Sequence, residues 1–298
     1  MTDTHSNGYR SVFRTGLFED QVMLVTGGGS GIGRCIAHEL ASLGAHVVLI
    51  GRTLEKLDRV AGEIKDDGGE ASVRPLDIRG EDDVKAAIGE ILEARGKISG
   101  LVNNAGGQYP APVAAINQKG FETVVRTNLV GGFLMAKEVY NQHMSRNGGA
   151  IVNIVADMWN GMPGMAHSGA ARAGMVNLTM TTAVEWAPNG VRVNAVAPGW
   201  IASSGMDTYG GAVKAMIPRL RSSLPLKRMG EESEVSAAVC FLLSEAAAFI
   251  TGATLQVDGG APLAPHMWPM PDHDRSQPYE GFHRAELPEV LRASEEDA

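Results

Sequence analysis

The sequence predicts an α/β fold: a single Rossmann-like, doubly wound parallel sheet of about seven strands with helices on both faces. Three observations predict it. From Leu17 to about Gly260, short runs rich in Val, Ile and Leu alternate with longer helical stretches. Most of these runs are continuously apolar rather than alternating, the pattern of strands buried on both faces. The first run passes into the glycine-rich turn "TGGGSGIG" (26–33) and straight on into a helix.

Taken in order, "VMLVTG" (22–27) is the first strand. Gly27 permits the tight turn after it, Gly31 lets the backbone approach a pyrophosphate, and Gly33 lets the new helix pack on the strand. Thr26, Gly29, Ser30 and Ile32 complete this loop. The helix that follows turns its free N–H groups and positive dipole end toward an anion. "HVVLIG" (46–51) is the second strand, and its end selects the cofactor. An NAD enzyme places an acid there for the ribose 2′-hydroxyl. Here the end reads Ile50-Gly51-Arg52-Thr53, and a guanidinium can pair with a 2′-phosphate. The expected cofactor is therefore NADP(H), with a helix-start cation as the plainer reading of Arg52. "ASVRPLD" (71–77) brings Asp77 to where a carboxylate can meet the adenine amino group. "GLVNNAG" (100–106), "AIVNIVA" (150–156), "VRVNAVAPG" (191–199) and "TLQVDGG" (254–260) complete the strands.

This division gives an N-terminal extension (1–16), a Rossmann-fold domain (17–260) and a C-terminal extension (261–298). The last is rich in Pro and polar residues. It reads either as a loose tail or, because of Trp268, Tyr279 and Phe282, as a segment packed on the body or on a neighbouring subunit. A net charge of −8 argues against a general nucleic-acid or anionic-membrane surface. Cys35 and Cys240 lie in apolar text and read as buried free thiols in a reducing compartment. No apolar run approaches the ~18 residues of a membrane span. The polar first residues and a last tripeptide unlike S-K-L point to the cytoplasm. No metal-ligand spacing is present; "PDHD" (271–274) reads as a solvated turn.

The motifs "TGGGSGIG", "LDI" (76–78), "NNAG" (103–106), "TNLVGGF" (127–133), "NAVAPGWI" (194–201) and "ITGATLQVDGG" (250–260) together resemble the short-chain dehydrogenase/reductase family over residues 17–260. The resemblance implies that Ile78, Asn104, Ala105, Gly106, Pro198, Gly199 and Ile201 also contact the cofactor, and that the chain forms a homotetramer. It implies an Asn-Ser-Tyr-Lys catalytic set as well. Asn128 matches the asparagine, which keeps a helix kinked and holds a water. Val155 and Ala156 stand where the serine belongs, Ser168 at the tyrosine position, and Arg172 at the lysine position. "HSGAARAG" (167–174), "NLT" (177–179), "EWAPNGVRVNAVAPG" (185–199), "GGQY" (106–109), "VCFLLS" (239–244) and "PDHD" narrow the resemblance to the peroxisomal trans-2-enoyl-CoA reductase branch, with the 2,4-dienoyl-CoA reductases next nearest.

Reducing a carbonyl requires an acid beside the hydride acceptor, and a serine hydroxyl is far weaker than a tyrosine phenol. Arginine stays charged and relays no proton, yet can bind a ribose and supply positive potential. Reduction of a C=C bond conjugated to a thioester tolerates that set, because charge builds on the thioester oxygen and needs steadying more than quenching. Ser168 and Arg172 share a helix face at i and i+4. Asp157 is a candidate acid or a solvated loop carboxylate, and Tyr109 a candidate acid or a pocket wall; Tyr209 is a weaker candidate. His167 beside Ser168 is no hydrolase pair, because neighbours on a helix diverge. The loop from Ala202 to Leu226, rich in Gly and Met, suits an apolar lid, and its Lys214, Arg219 and Arg221 could meet coenzyme A phosphates.

The expected activity is NADPH-dependent reduction of a trans-2-enoyl-CoA-type thioester. Two alternatives stay open: a citronellol-like terpenoid alcohol or aldehyde dehydrogenase, and an NADP(H)-binding subunit without catalysis.

Overall fold

Seven strands form one parallel sheet in the order β3-β2-β1-β4-β5-β6-β9, with a crossover at β1/β4 where the strand order reverses. The computed structural model describes residues 8–264 and 270–292. The strands are β1 Val22–Thr26, β2 His46–Gly51, β3 Glu70–Pro75, β4 Gly100–Asn103, β5 Gly149–Ile154, β6 Val191–Pro198 and β9 Thr254–Val257. A two-stranded pair, β7 Ile201–Ala202 with β8 Gly230–Glu231, lies beside it. The helices between them are α1 Gly31–Ser42, α2 Leu54–Asp66, α3 Glu81–Arg95, α4 Gln118–Val125, α5 Gly131–Val139, the short α6 Ser145–Asn147, and α7 Ala166–Trp186. Beyond β7 come α8 Gly211–Met216, α9 Leu220–Ser223, α10 Glu232–Leu243 and α11 Glu289–Arg292.

The apolar runs behave as their texture predicts. Every residue of β1 is buried, and so are the four central residues of β2. One core packs α1, α2 and α10 on one face of the sheet, through Ile36, Leu40, Leu57, Val60, Val235 and Val239. The other packs α3 and α5 on the opposite face, through Val84, Ile88, Leu134 and Met135. Each such side chain contributes ~1.5–3 kcal/mol on leaving water. Helix α2 shows why a mixed sequence still folds this way: Leu57, Val60 and Ile64 fall on one stripe, and the rest faces water. Helix α3 starts on three acids, Glu81, Asp82 and Asp83, and stops at Gly96, which adopts the left-handed conformation.

Most predicted strands ran past the observed ends, at 71–77, 100–106 and 254–260 most of all. Their last residues, such as Asn104 to Gly106 and Asp258 to Gly260, leave the sheet to form turns over its C-terminal edge. In open parallel sheets, ligands bind at that edge.

The segments flanking the sheet are built into the body. Phe282 is buried, stacked on Tyr9 at 5.8 Å and tilted against His38 at 5.1 Å, with the Arg34 guanidinium 5.1 Å above its ring. The Tyr279 hydroxyl donates to the Arg10 carbonyl at 2.6 Å. Tyr9 and Ser11 donate to the buried Glu39 carboxylate at 3.1 and 2.7 Å, and Ser236 donates to it as well. The loose-tail reading therefore fails for residues 270–292; Trp268 lies outside the described residues. Cys35 and Cys240 are buried free thiols. No helix among the described residues is long and apolar enough to cross a membrane.

Candidate active site

Two sites share the C-terminal edge of the sheet. The first is built from backbone. Thr26, fully buried at the end of β1, donates to the Val102 carbonyl and accepts the N–H groups of Asn104 and Ala105, both at 2.9 Å. The Asn104 amide returns a bond to the Thr26 carbonyl at 2.9 Å. The loop after β1 is thereby bolted to the loop after β4. Gly33 is obligatory: a Cβ there would stand 2.4 Å from both the Gly27 carbonyl and the Asn104 amide. Gly31 meets no tight contact; its φ of +57 is what favours glycine there.

The residues present fit a dinucleotide. Helix α1 begins at Ser30, which makes no side-chain cap, and its first turn carries no acid, so its N–H groups are available to an anion. Gly29 sits against Lys56, and Ile32 lines the neighbouring cavity. At the far end, Arg52, Arg74 and Asp77 line an open cavity of about 610 Å³. Arg79 forks onto Asp77 at 2.9 and 2.5 Å and holds its carboxyl down at about 2. Arg52 enters no hydrogen bond or ion pair, whereas the sequence offered no signal for the Arg79 fork. The Ile78 side chain turns inward, into space that a Cβ on Gly131 would occupy.

The second site is built from side chains. Asn128 is buried inside a π-helical turn, Arg126–Val130, which is the kink expected of it. Its amide accepts from the Gly107 N–H and donates to the Gly107 carbonyl, both at 2.8 Å, and fixes the loop after β4. Arg172, half-buried on α7, donates to the Ile154 carbonyl at 2.7 Å, and its Nε has no partner. Its guanidinium abuts Gly106, where a Cβ would lie 2.4 Å from Nη2. No carboxylate pairs with it, and burial lowers it to about 10, still a cation near neutrality.

Ser168 is fully buried one helical turn earlier. Its hydroxyl donates to the Gln108 side-chain carbonyl at 2.6 Å, and the Gln108 amide donates to the Tyr209 phenol oxygen at 2.7 Å. His167 Nδ1 accepts the Ser168 backbone N–H at 2.8 Å, not its hydroxyl, so the two form no nucleophile and base. Tyr109 lies edge-on to the His167 ring at 4.5 Å and packs its hydroxyl toward Gly120. Asp157 is half-buried, its N–H bonded to the Pro198 carbonyl at 3.0 Å. Burial and the neighbouring Asp258 push its carboxyl above the usual range. Asp258 leaves one buried carboxylate oxygen unpartnered.

Asp157, Gln108 and Tyr209 line one cavity of about 360 Å³, together with Met162, Trp200 and Met206. Ile32, Pro198, Gly199 and Ile201 form its cofactor-side wall. In "PDHD", His273 donates to the Pro225 carbonyl at 2.9 Å, and no cluster of three metal-ligating side chains exists among the described residues.

A family model described as enoyl-(acyl carrier protein) reductase matches residues 27–262. The chain belongs to the short-chain dehydrogenase/reductase family, and it is an oxidoreductase of that type. It is 38% identical over 264 residues to a peroxisomal 2,4-dienoyl-CoA reductase, (3E)-enoyl-CoA-producing, of Danio rerio, covering 87% of each chain. It is 37% identical to the 3-oxoacyl-(acyl-carrier-protein) reductase FabG of Staphylococcus epidermidis, over 80% of this chain and 97% of that one. Among solved structures, the citronellol catabolism dehydrogenase (AtuB) of Pseudomonas aeruginosa PAO1 superposes with a TM-score of 0.78 at 62% identity, covering 85% of this chain and 99% of that one. Family membership implies a nicotinamide cofactor.

Sequence reasoning overlooked Gln108. It stood inside the quoted "GGQY", but only the fold reveals that one amide joins residues 60 positions downstream and 101 positions downstream.

Proposed function

We propose that this protein is an NADP(H)-dependent reductase of a C=C bond conjugated to a coenzyme A thioester. One observation carries the reading: Arg172 is a half-buried cation, without a carboxylate partner among the described residues, against the loop that borders the cavity. An unpaired cation in such a place is costly, and it is relieved where negative charge binds or develops. Asn104, Ala105, Gly106 and Arg172 would hold the nicotinamide half of the cofactor, and the α1 N-terminus the pyrophosphate. Arg52 would meet the 2′-phosphate, beside Asp77 and the backbone of Ile78. A reduced nicotinamide, when bound, supplies hydride to the β-carbon of the substrate.

The protein's part is to manage the enolate that results. Arg172 holds positive potential behind the thioester oxygen. Ser168 has a single proton, and in the observed arrangement it goes to Gln108. Reversing the Gln108 amide frees that proton for the oxyanion and turns Tyr209 into the donor to Gln108. Asp157, whose carboxyl burial and Asp258 push above the usual range, is the group that would pass a proton to the α-carbon and recover it from solvent. The exposed Leu255 on edge strand β9 and Phe249 just before it support self-association into the tetramer expected of the family, in the cytoplasm.

The 62% identity to a citronellol catabolism dehydrogenase favours a second reading, a branched terpenoid alcohol or aldehyde as substrate. One panel separates the two: NADPH oxidation with trans-2-enoyl- and 2,4-dienoyl-CoA, against NADP+ reduction with citronellol. The first reading expects turnover of the thioesters alone. Turnover of citronellol alone moves the assignment to the second. Tight NADPH binding with no turnover of either leaves a cofactor-binding subunit.

A further inference from the structure

The loop over the cavity has a small core of its own. Met206, Ile217 and Leu220 are buried together, apart from the main cores on either face of the sheet. The fourth buried member of that cluster is Val290, which comes from the far end of the chain, and Trp200 and Tyr209 pack around it. Asp207, in the same 3-10 turn as Met206, accepts the backbone N–H groups of Glu289 and Val290 on its two carboxylate oxygens, each at 3.1 Å.

The segment carrying Val290 is anchored elsewhere. Arg284 forks onto Asp67 at the end of α2, at 2.7 and 3.0 Å. Phe282 is buried on α1, and Arg228 bonds both Ser276 and the Gln277 carbonyl. Among the described residues, the loop is tied on its cavity side by a side-chain bond from Gln108 to Tyr209. A strap fixed to the cofactor-side helices therefore supplies part of the hydrophobic core of the substrate-side loop.

We propose that residues 270–292 hold this loop over the cavity, and that Asp207 and Val290 are the positioning residues that set which hydrocarbon chains the cavity admits. A loop whose core is completed by one remote side chain is poised near the low end of local stability. Loosening it opens the cavity and frees Tyr209 from Gln108, while Arg172 and Asp157, held on other elements, stay in place. Only the kinetic consequence rests on the thioester reading; the mechanical one does not.

The test uses the full chain with Asp207→Asn and Val290→Ala, and Asp207→Glu as the conservative rescue. Amide hydrogen exchange of residues 204–223 in the protein without substrate is the first readout. It is expected to rise at least tenfold in the first two variants, to recover in the third, and to stay unchanged in β1 and α1. The second readout is KM across enoyl-CoA chain lengths. The two variants should raise it at least fivefold for the preferred length and flatten its dependence on length, with NADPH affinity changed less than twofold. Unchanged exchange in both variants overturns the strap. Raised exchange with an unaltered chain-length profile overturns the specificity role. A parent protein inactive on every thioester defeats the proposed function, and the exchange measurement still decides the strap. If Asp207→Asn does not fold, Val290→Ala carries both readouts.

Discussion

The two halves of the cavity edge are built on different principles. On the cofactor side, backbone does the work: the threonine at the end of β1 and the asparagine after β4 fasten one loop to another, and glycines stand where any Cβ would collide. On the substrate side, side chains do it: Ser168, Gln108 and Tyr209 come from a helix and two loops and meet through one reversible amide. A site made of backbone has one geometry. A site made of side-chain bonds on loops has several, and needs a strap to choose among them.

The largest expected effect tests the rigid half. Gly33→Ala forces a Cβ within 2.4 Å of a backbone carbonyl. NADPH affinity should fall at least ~100-fold and Tm by several degrees, because the collision is with fixed backbone rather than a movable tip. Fluorescence titration and a thermal melt check this; binding within threefold of the parent would remove the loop from the site.

Arg172→Met tests the other half. Losing a cation at a developing oxyanion costs on the order of 10²–10³ in kcat/KM. Cofactor affinity should drop with it, since the same guanidinium borders the loop at Gly106. Unchanged kinetics would rule the role out, and Arg172→Lys should retain part of the activity.

Between the halves stands Glu232, the first residue of α10, whose carboxylate lies near Gly31. Burial raises it to about 7, with the Arg34 charge pulling the other way. A carboxyl raised on folding favours the folded state when protonated. Its contribution is complete below the unfolded value, near 4.5, and is lost as pH rises through about 7. Glu232→Gln should therefore lie close to the parent in urea stability near pH 4.5, and exceed it by ~3 kcal/mol at pH 8.5. A constant difference across that range would mean that Glu232 titrates normally.

How far the sequence could be read follows the same division. The number of strands, both helical faces and the glycine-rich turn were legible because period, apolar texture and glycine spacing are local signals. Asn128 was legible through its motif, and its π-turn followed. The Arg79 fork on Asp77, the Gln108 bridge and the docking of Phe282 and Val290 were not. Each depends on which loops meet in space, and nothing within a few residues of any of them records the partner. The Pro-rich tail shows it best: its aromatics, Phe282 among them, left packing open beside a loose tail, but not the partners, which Arg284 and Phe282 find more than 200 residues away.

The smallest effect concerns cofactor choice. Arg52 lines the rim where a 2′-phosphate would sit, and Arg79 grips Asp77 on its wall, but they are not equivalent. Arg79 spends its fork on Asp77, so its charge is largely matched. Arg52 has no ion pair of its own and is exposed, so a phosphate there would be its first fixed partner, partly screened by salt. Arg52→Gln is accordingly expected to weaken NADPH binding about tenfold, less at high ionic strength, and to leave NADH binding within twofold. Isothermal titration with both cofactors at two salt concentrations checks it. If Arg79→Gln does this and Arg52→Gln does not, the phosphate contact belongs to the residue that no strand-end rule singled out, and Asp77 becomes the group that positions it.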